Sequence, residues 1–284
     1  MIELPDGREL AFSEAGDEGG TPVLAFHGTP GSRRQLLLEP VGKAAHALGA
    51  RLIAPDRPGY GHSTFQAGRR IADWAADVEV LADRLELERF SVLGFSGGGP
   101  HALACAALLP LRVTRAVVVS GIGPMPTSAE TEGMSRPNQV LSALARRSEF
   151  AVLPVTALVT NVARRRPEQS VRSMSKQLPP SDAAVLERPE VFGAFVDDVR
   201  LASGTAARAV AQDLSLFTQP WGFDLRDVAV PVDFWQGDAD RNVPPVHARR
   251  QAEQVKRSTL HEVSAAGHFM AFDHIEEILQ AALA

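Results

Sequence analysis

The sequence predicts an α/β fold, with a mainly parallel central sheet, helices on both faces and a helical cap inserted late in the sheet. Three observations predict it. Between residues 23 and 120, short apolar runs alternate with amphipathic stretches. That order, strand then helix repeated, calls for parallel strands joined by crossovers. The alternation lapses over residues 122–220 and resumes from Val230 onward.

The elements follow in order. An Asp6-Gly7 turn precedes an expected strand over 8–15. Val23 to His27 is an apolar run that ends in His27-Gly28-Thr29-Pro30-Gly31. Leu36, Leu37, Val41, Ala44, Ala45 and Leu48 then recur at helical spacing, so 33–48 is expected as a helix stopped by Gly49. Residues 51–54 read as a strand and 55–63 as a turn-rich loop. Ile71 to Leu87 forms an amphipathic helix with Trp74, Val78, Leu81 and Leu85 on one stripe. Phe90 to Phe95 is a strand, Gly97 to Leu109 a helix and Val113 to Ser120 a Val-rich strand. After the irregular region come a strand over 230–236, a helix near 246–255, a strand near 259–263 and a final helix from about Phe269 to Leu283. Residues 1–121 and 221–284 are therefore expected as the core, with 122–220 as a helical insertion on one face.

Composition narrows the function classes. The chain has 284 residues, 45% of them hydrophobic and 22% charged, the balance of a folded globular protein. Its formal net charge of −5 gives no electrostatic footprint for nucleic acid. The longest stretch without Asp, Glu, Lys or Arg, 90–111, is interrupted by Gly94, Gly97, Gly98, Gly99 and Pro100, so it reads as strand, turn and helix rather than a membrane span. Charges appear within Met1 to Glu9, and no signal peptide is expected. The single cysteine, Cys105, excludes an intrachain disulfide and a multi-cysteine metal site, and suits a reducing, cytoplasmic setting. No metal and no cofactor is called for, and the expected partner is a small-molecule substrate.

Gly94-Phe95-Ser96-Gly97-Gly98 fits G-x-S-x-G between an apolar strand and a Gly- and Ala-rich helix. That setting holds a serine on a sharp turn at the strand end, where flanking residues must lack bulk. A serine is a poor nucleophile at neutral pH until a base takes its proton and a carboxylate orients the base. The chain supplies both in the order Ser…Asp…His. Asp240 follows the strand 230–236, with Asp238 as its near rival, and His268 sits in Ala266-Gly267-His268-Phe269 between a strand and a helix. None of His247, His261 and His274 follows a glycine at a strand end. The oxyanion of a tetrahedral intermediate needs two N–H donors. Gly97 is one, and Thr29 is the other, since Pro30 has no N–H. His27 is expected to anchor its loop. Phe26, Phe95, Trp221 and Phe269 are candidate pocket residues.

These segments, with Asp56-Arg57-Pro58-Gly59-Tyr60-Gly61-His62-Ser63, resemble the α/β-hydrolase fold superfamily over nearly the whole chain apart from 122–220. The resemblance implies that 122–220 is a cap over the active site and that 56–63 is chiefly a structural turn. Ser96 departs from relatives with an Asp nucleophile, which sets epoxide opening and dehalogenation aside. The 27–31 loop is similar to that of proline iminopeptidases, with Thr29 in place of a glycine. Their ammonium-binding cap carboxylates have possible counterparts in Glu187, Glu190, Asp197 and Asp198, which read better as a solvated helix face. The resulting expectation is a serine hydrolase of small or medium acyl substrates, a carboxylic ester first. An aminopeptidase, a cofactor-free perhydrolase and a non-catalytic binding protein are the alternatives.

Overall fold

The computed structural model describes residues 1–176, 178–202 and 206–284. Strands β1 (Ile2–Glu3) and β2 (Glu9–Leu10) form a small antiparallel ladder. Strands β3 (Phe12–Gly16), β4 (Thr21–Phe26), β5 (Ala50–Pro55), β6 (Phe90–Phe95), β7 (Val113–Val119), β8 (Val232–Gly237) and β9 (Ser258–Val263) make one sheet in the order β3-β5-β4-β6-β7-β8-β9. Only β3, at the edge, is antiparallel to its neighbour. The sheet is therefore the mainly parallel one that the alternation predicts. The expected strand over 8–15 is in fact two pieces, one pairing with β1 and one with β5.

Helices α1 (Glu39–Ala47) and α11 (Ile275–Leu283) pack on one face, and α2 (Trp74–Arg84) and α3 (Gly99–Leu108) on the other. Period-2 alternation sorts the strand side chains between them. Phe26, Val92 and Val118 enter the α2–α3 layer, and Val23, Leu93 and Val117 the α1–α11 layer. Helix α10 (Val246–Gln254) lies between β8 and β9 in the chain. Between β7 and β8 the chain runs through α4 (Arg136–Arg147), α5 (Glu149–Arg165), α6 (Pro167–Ser175), α7 (Pro180–Leu186), α8 (Pro189–Ala202) and α9 (Ala207–Leu216). The α1–α11 layer continues into this segment through Val171, Leu186, Val191 and Phe195.

Two expected helices are shorter than their spacing suggests. Residues 33–36 form a 3-10 turn, and α1 starts only at Glu39. Pro40 lacks an N–H, and its ring would clash with the Leu36 carbonyl in a continuous helix. Likewise Met270–Phe272 is a separate 3-10 turn, and α11 begins at Ile275.

Candidate active site

Strand β6 delivers Ser96 at its C-terminal end, and the chain turns at once into the 3-10 turn Ser96–Gly98 and then α3. Ser96 has φ 53°, the left-handed region that a side chain occupies only under strain. The glycines around it are needed for close approach. A Cβ on Gly94 would lie 2.5 Å from the Gly98 carbonyl oxygen, and one on Gly98 would overlap the Phe26 carbonyl oxygen.

His268 Nε2 lies 3.0 Å from Ser96 Oγ, and His268 Nδ1 lies 2.7 Å from Asp240 Oδ2. Asp240 is buried and acceptor-saturated. Its Oδ1 accepts from the Asn242 and Val243 amides at 2.8 and 2.9 Å, and Gln236 Nε2 donates to Oδ2 at 3.2 Å. With a carboxylate at Nδ1, that nitrogen carries the proton and Nε2 presents its lone pair to the Ser96 hydroxyl. Burial alone weakens the imidazole as a base. The charge and hydrogen bond of Asp240 outweigh it, Asp182 adds to them, and the His268 pKa stands above its ordinary value. Asp238, the rival carboxylate, is exposed. His247 instead accepts from the Gly123 amide, His261 pairs with Asp233, and His274 sits near Glu277.

The loop 27–31 is held from beneath. His27 Nε2 accepts from the Arg57 amide at 3.0 Å, while its Nδ1 lies 2.8 Å from the Gly28 carbonyl oxygen. Burial first, and then the Arg57 charge, hold His27 well below the usual histidine pKa, so it is a neutral anchor. The Thr29 hydroxyl donates to Asp213 Oδ2 at 2.8 Å and accepts from Arg57 Nη2 at 2.7 Å. Thr29 Oγ1 also packs where a Gly97 Cβ would be, so the two expected donors are neighbours. Among the described residues, neither the Thr29 nor the Gly97 N–H has a hydrogen-bond acceptor.

The aromatic candidates divide. Phe95 lies 5.1 Å from the His268 ring, and Phe269 lies 5.6 Å from it (centroid to centroid). Phe26 and Trp221, expected at the pocket, pack in the core instead. Phe26 is edge-on to Trp74 in the α2–α3 layer, and Trp221 sits in the same layer against Phe223, its carbonyl accepting from the Ala72 amide. Strand β4 is buried on both faces from Val23 to Phe26, so hydrophobicity there says nothing about which face a side chain enters.

Three buried carboxylates have roles that the sequence does not disclose: Asp182 and Asp213, and Asp198, expected on a solvated face. Asp182 of α7 accepts from the backbone amides of His268 and Phe269, both at 2.8 Å. Asp213 of α9 accepts from Arg57, Tyr60, Thr29 and Arg69. Asp198 of α8 accepts from Ser32 Oγ at 2.5 Å, and so is not part of a solvated face, although Glu187, Glu190 and Asp197 are. Nothing local marks these three, because their partners are 86 to 184 residues away in the chain. Among the described residues, no cluster of His, Cys, Asp and Glu is placed to hold a metal ion, and no helix is long and apolar enough to cross a membrane.

Comparison with known proteins agrees with the fold. The non-heme chloroperoxidase of Streptomyces lividans is 31% identical over 158 residues, 53% of this chain and 56% of that protein, so the likeness spans about half of the relative's length. The 2-hydroxymuconate semialdehyde hydrolase of Pseudomonas putida is 26% identical over 92% of this chain and 85% of its own. Among solved structures, a bromoperoxidase from Bacillus anthracis superposes with a TM-score of 0.73 at 19% identity, covering 97% of this chain and 95% of that one. An esterase from Exiguobacterium antarcticum does so at 0.68 and 20%, covering 99% and 97%. At such identities the structural likeness speaks for the fold alone. The sequence match is broader: a family model described as the alpha/beta hydrolase fold covers residues 21–275. With a seven-stranded sheet in that arrangement and a match over most of its length, the chain belongs to the α/β hydrolase fold family.

Proposed function

We propose that this protein is a serine hydrolase that cleaves a small or medium carboxylic ester through an acyl-enzyme. The observation that carries the reading is the relay Ser96–His268–Asp240, closed by contacts of 3.0 and 2.7 Å at the end of β6. In the first step Ser96 Oγ attacks the acyl carbon and its proton passes to His268 Nε2. Asp240 orients the imidazole and stabilises its protonated form. The carbonyl oxygen, now an anion, takes hydrogen bonds from the Thr29 and Gly97 N–H groups. The C–O bond to the leaving alcohol then breaks, and the alcohol leaves with the proton from His268. Water, deprotonated by His268, attacks the acyl-Ser96 ester; the bond from the acyl carbon to Ser96 Oγ breaks, His268 returns the proton to Oγ, and the carboxylic acid is released. Residues 122–220 act as a cap on a core of 1–121 and 221–284, and Phe95 and Phe269 border the acyl site.

A second reading, perhydrolysis by the same three residues, has the resemblance to the chloroperoxidase in its favour. A p-nitrophenyl ester series of increasing acyl length, run with wild type and Ser96→Ala, tests the first. The expected loss in the mutant is about 10⁴- to 10⁶-fold in kcat. Undiminished hydrolysis by Ser96→Ala would remove Ser96 from the chemistry. Peroxide-dependent halogenation without ester turnover would favour the second reading.

A further inference from the structure

The imidazole of His268 is placed by Asp240 at one end and by its own backbone at the other. That backbone is held by a residue from a distant part of the chain. Asp182, in the first turn of α7, is buried, and its two oxygens each accept one amide hydrogen, Oδ2 from His268 and Oδ1 from Phe269. A carboxylate bridging two successive N–H groups fixes the local backbone more firmly than neutral acceptors do. The site is built to receive it, since a Cβ on Gly267 would overlap the Asp182 carboxylate. On the other side of the loop, Ser120 Oγ donates to the His268 carbonyl oxygen at 3.1 Å. Phe269, whose amide Asp182 holds, meets Phe195 of α8 edge-on at 5.1 Å.

We infer that Asp182 is a positioning residue, which ties the His268 loop to the helical segment so that the base keeps its register with Ser96 and Asp240 only while α7 is docked. This rests on the hydrolase reading. Two carboxylates face the His268 side chain and its loop: Asp240 from the loop after β8 and Asp182 from α7, whose own pKa burial raises against the pull of the two amides. Both favour the imidazolium.

The variant to make is Asp182→Asn, with Asp182→Ser as a second in case the first does not fold. Activities are referred to the fraction of molecules that a fluorophosphonate labels. The expected result is a fall in kcat of about 10²-fold, the scale of a small misplacement of a reacting group, with KM nearly unchanged. The acidic limb of the pH–rate profile moves to lower pH, because one of the two negative charges is gone. A lowered melting temperature with kcat and the limb both unchanged would overturn the proposal and leave Asp182 a purely structural anchor. The His268 ring titration, followed by NMR in wild type and Asp182→Asn, does not depend on turnover. If the wild type neither cleaves esters nor takes the label, the hydrolase reading fails. An unmoved His268 titration would then also sink the role of Asp182, and a lowered one would support it.

A separate observation concerns the surface. Helix α5 leaves more of its large apolar side chains exposed than buried. Its inward face carries Val152 in a small apolar cluster together with Thr156 and Thr160, which donate to carbonyl oxygens, whereas Phe150, Val155, Leu158, Val159 and Val162 face outward, Phe150 at 70% and Leu158 at 65% exposure. Exposed arginines stand at both ends of the stripe: Arg147 just before the helix, and Arg164, Arg165 and Arg166 at its close. Among the described residues, none of these four is ion-paired. An apolar stripe flanked by free cations matches the interface of an anionic bilayer. A second copy docked on the same face would instead bring like charges together.

We propose that the outer face of α5 lies on an anionic lipid surface. The test is co-sedimentation with vesicles of phosphatidylcholine alone and of phosphatidylcholine mixed with phosphatidylglycerol. Wild type is expected on the mixed vesicles only, less at high salt. Leu158→Glu should abolish binding, and Arg165→Gln should weaken it by about five-fold. Equal binding to both vesicles, or to neither, would overturn the proposal. So would a wild-type dimer that Leu158→Glu dissolves, which would give the face to a second copy.

Discussion

Two aspartates from neighbouring helices reach the same loop, and their environments make opposite demands on them. Asp213 of α9 meets Thr29, and Asp198 of α8 meets Ser32, three residues on. Both side chains are buried. For each, burial is the largest influence and opposes ionisation. Asp213 has Arg57 and Arg69 in contact, and their charges hold it far below the usual carboxylate range. Asp198 has a serine hydroxyl and, farther off, the like charge of Asp56, and its pKa is pushed up to about 7. Depth sets the cost of the charge in both places, and the partners decide whether the charge is kept.

The largest way to break this comparison is to neutralise Asp213. Asp213→Asn keeps the shape but leaves two buried guanidinium groups without a carboxylate. Removing one side of such a buried network costs about 3–5 kcal/mol. The Tyr60 hydroxyl and Thr29 lose a charged acceptor in the same step. The expected outcome is a large fall in the urea midpoint, with slower fluorophosphonate labelling because the Thr29 loop is no longer held. A midpoint within experimental error of wild type would mean that the arginines are stabilised by something other than Asp213.

This contrast also shows what a sequence can disclose. Ser96, Asp240 and His268 were legible because each sits in a short motif at the end of a predicted strand, and the strand order brings those ends together. The parallel sheet was legible for the same local reason, six apolar runs separated by helical spacing. Asp182, Asp198 and Asp213 were not. Each stands on a helix where an acidic residue is ordinary, and its meaning lies in a partner that only the folded chain supplies. Asp197 and Asp198 are adjacent in sequence, yet one is exposed and one is buried. Phe26 and Phe95 both precede a loop at a strand end, and only the face of the sheet that each enters separates core packing from contact with His268.

The smaller and sharper test uses Asp198. Its folded pKa of about 7 lies above the unfolded value of about 3.9, so the folded state holds a proton that the unfolded state gives up. The stability this represents is fully present below pH 4 and is lost as the pH rises toward 7, by at most about 4 kcal/mol. Asp198→Asn keeps an acceptor for Ser32 and has no charge to gain. Relative to wild type it should therefore become more stable between pH 4 and pH 8, as urea unfolding at the two pH values would measure. Asp197→Asn is the control. Asp197 is half exposed and pairs with Arg200 across one helical turn at 3.0 Å, so its loss is worth under about 0.5 kcal/mol at either pH. If the difference between Asp198→Asn and wild type does not change with pH, Asp198 is ionised in the folded protein, and the two buried aspartates are alike after all.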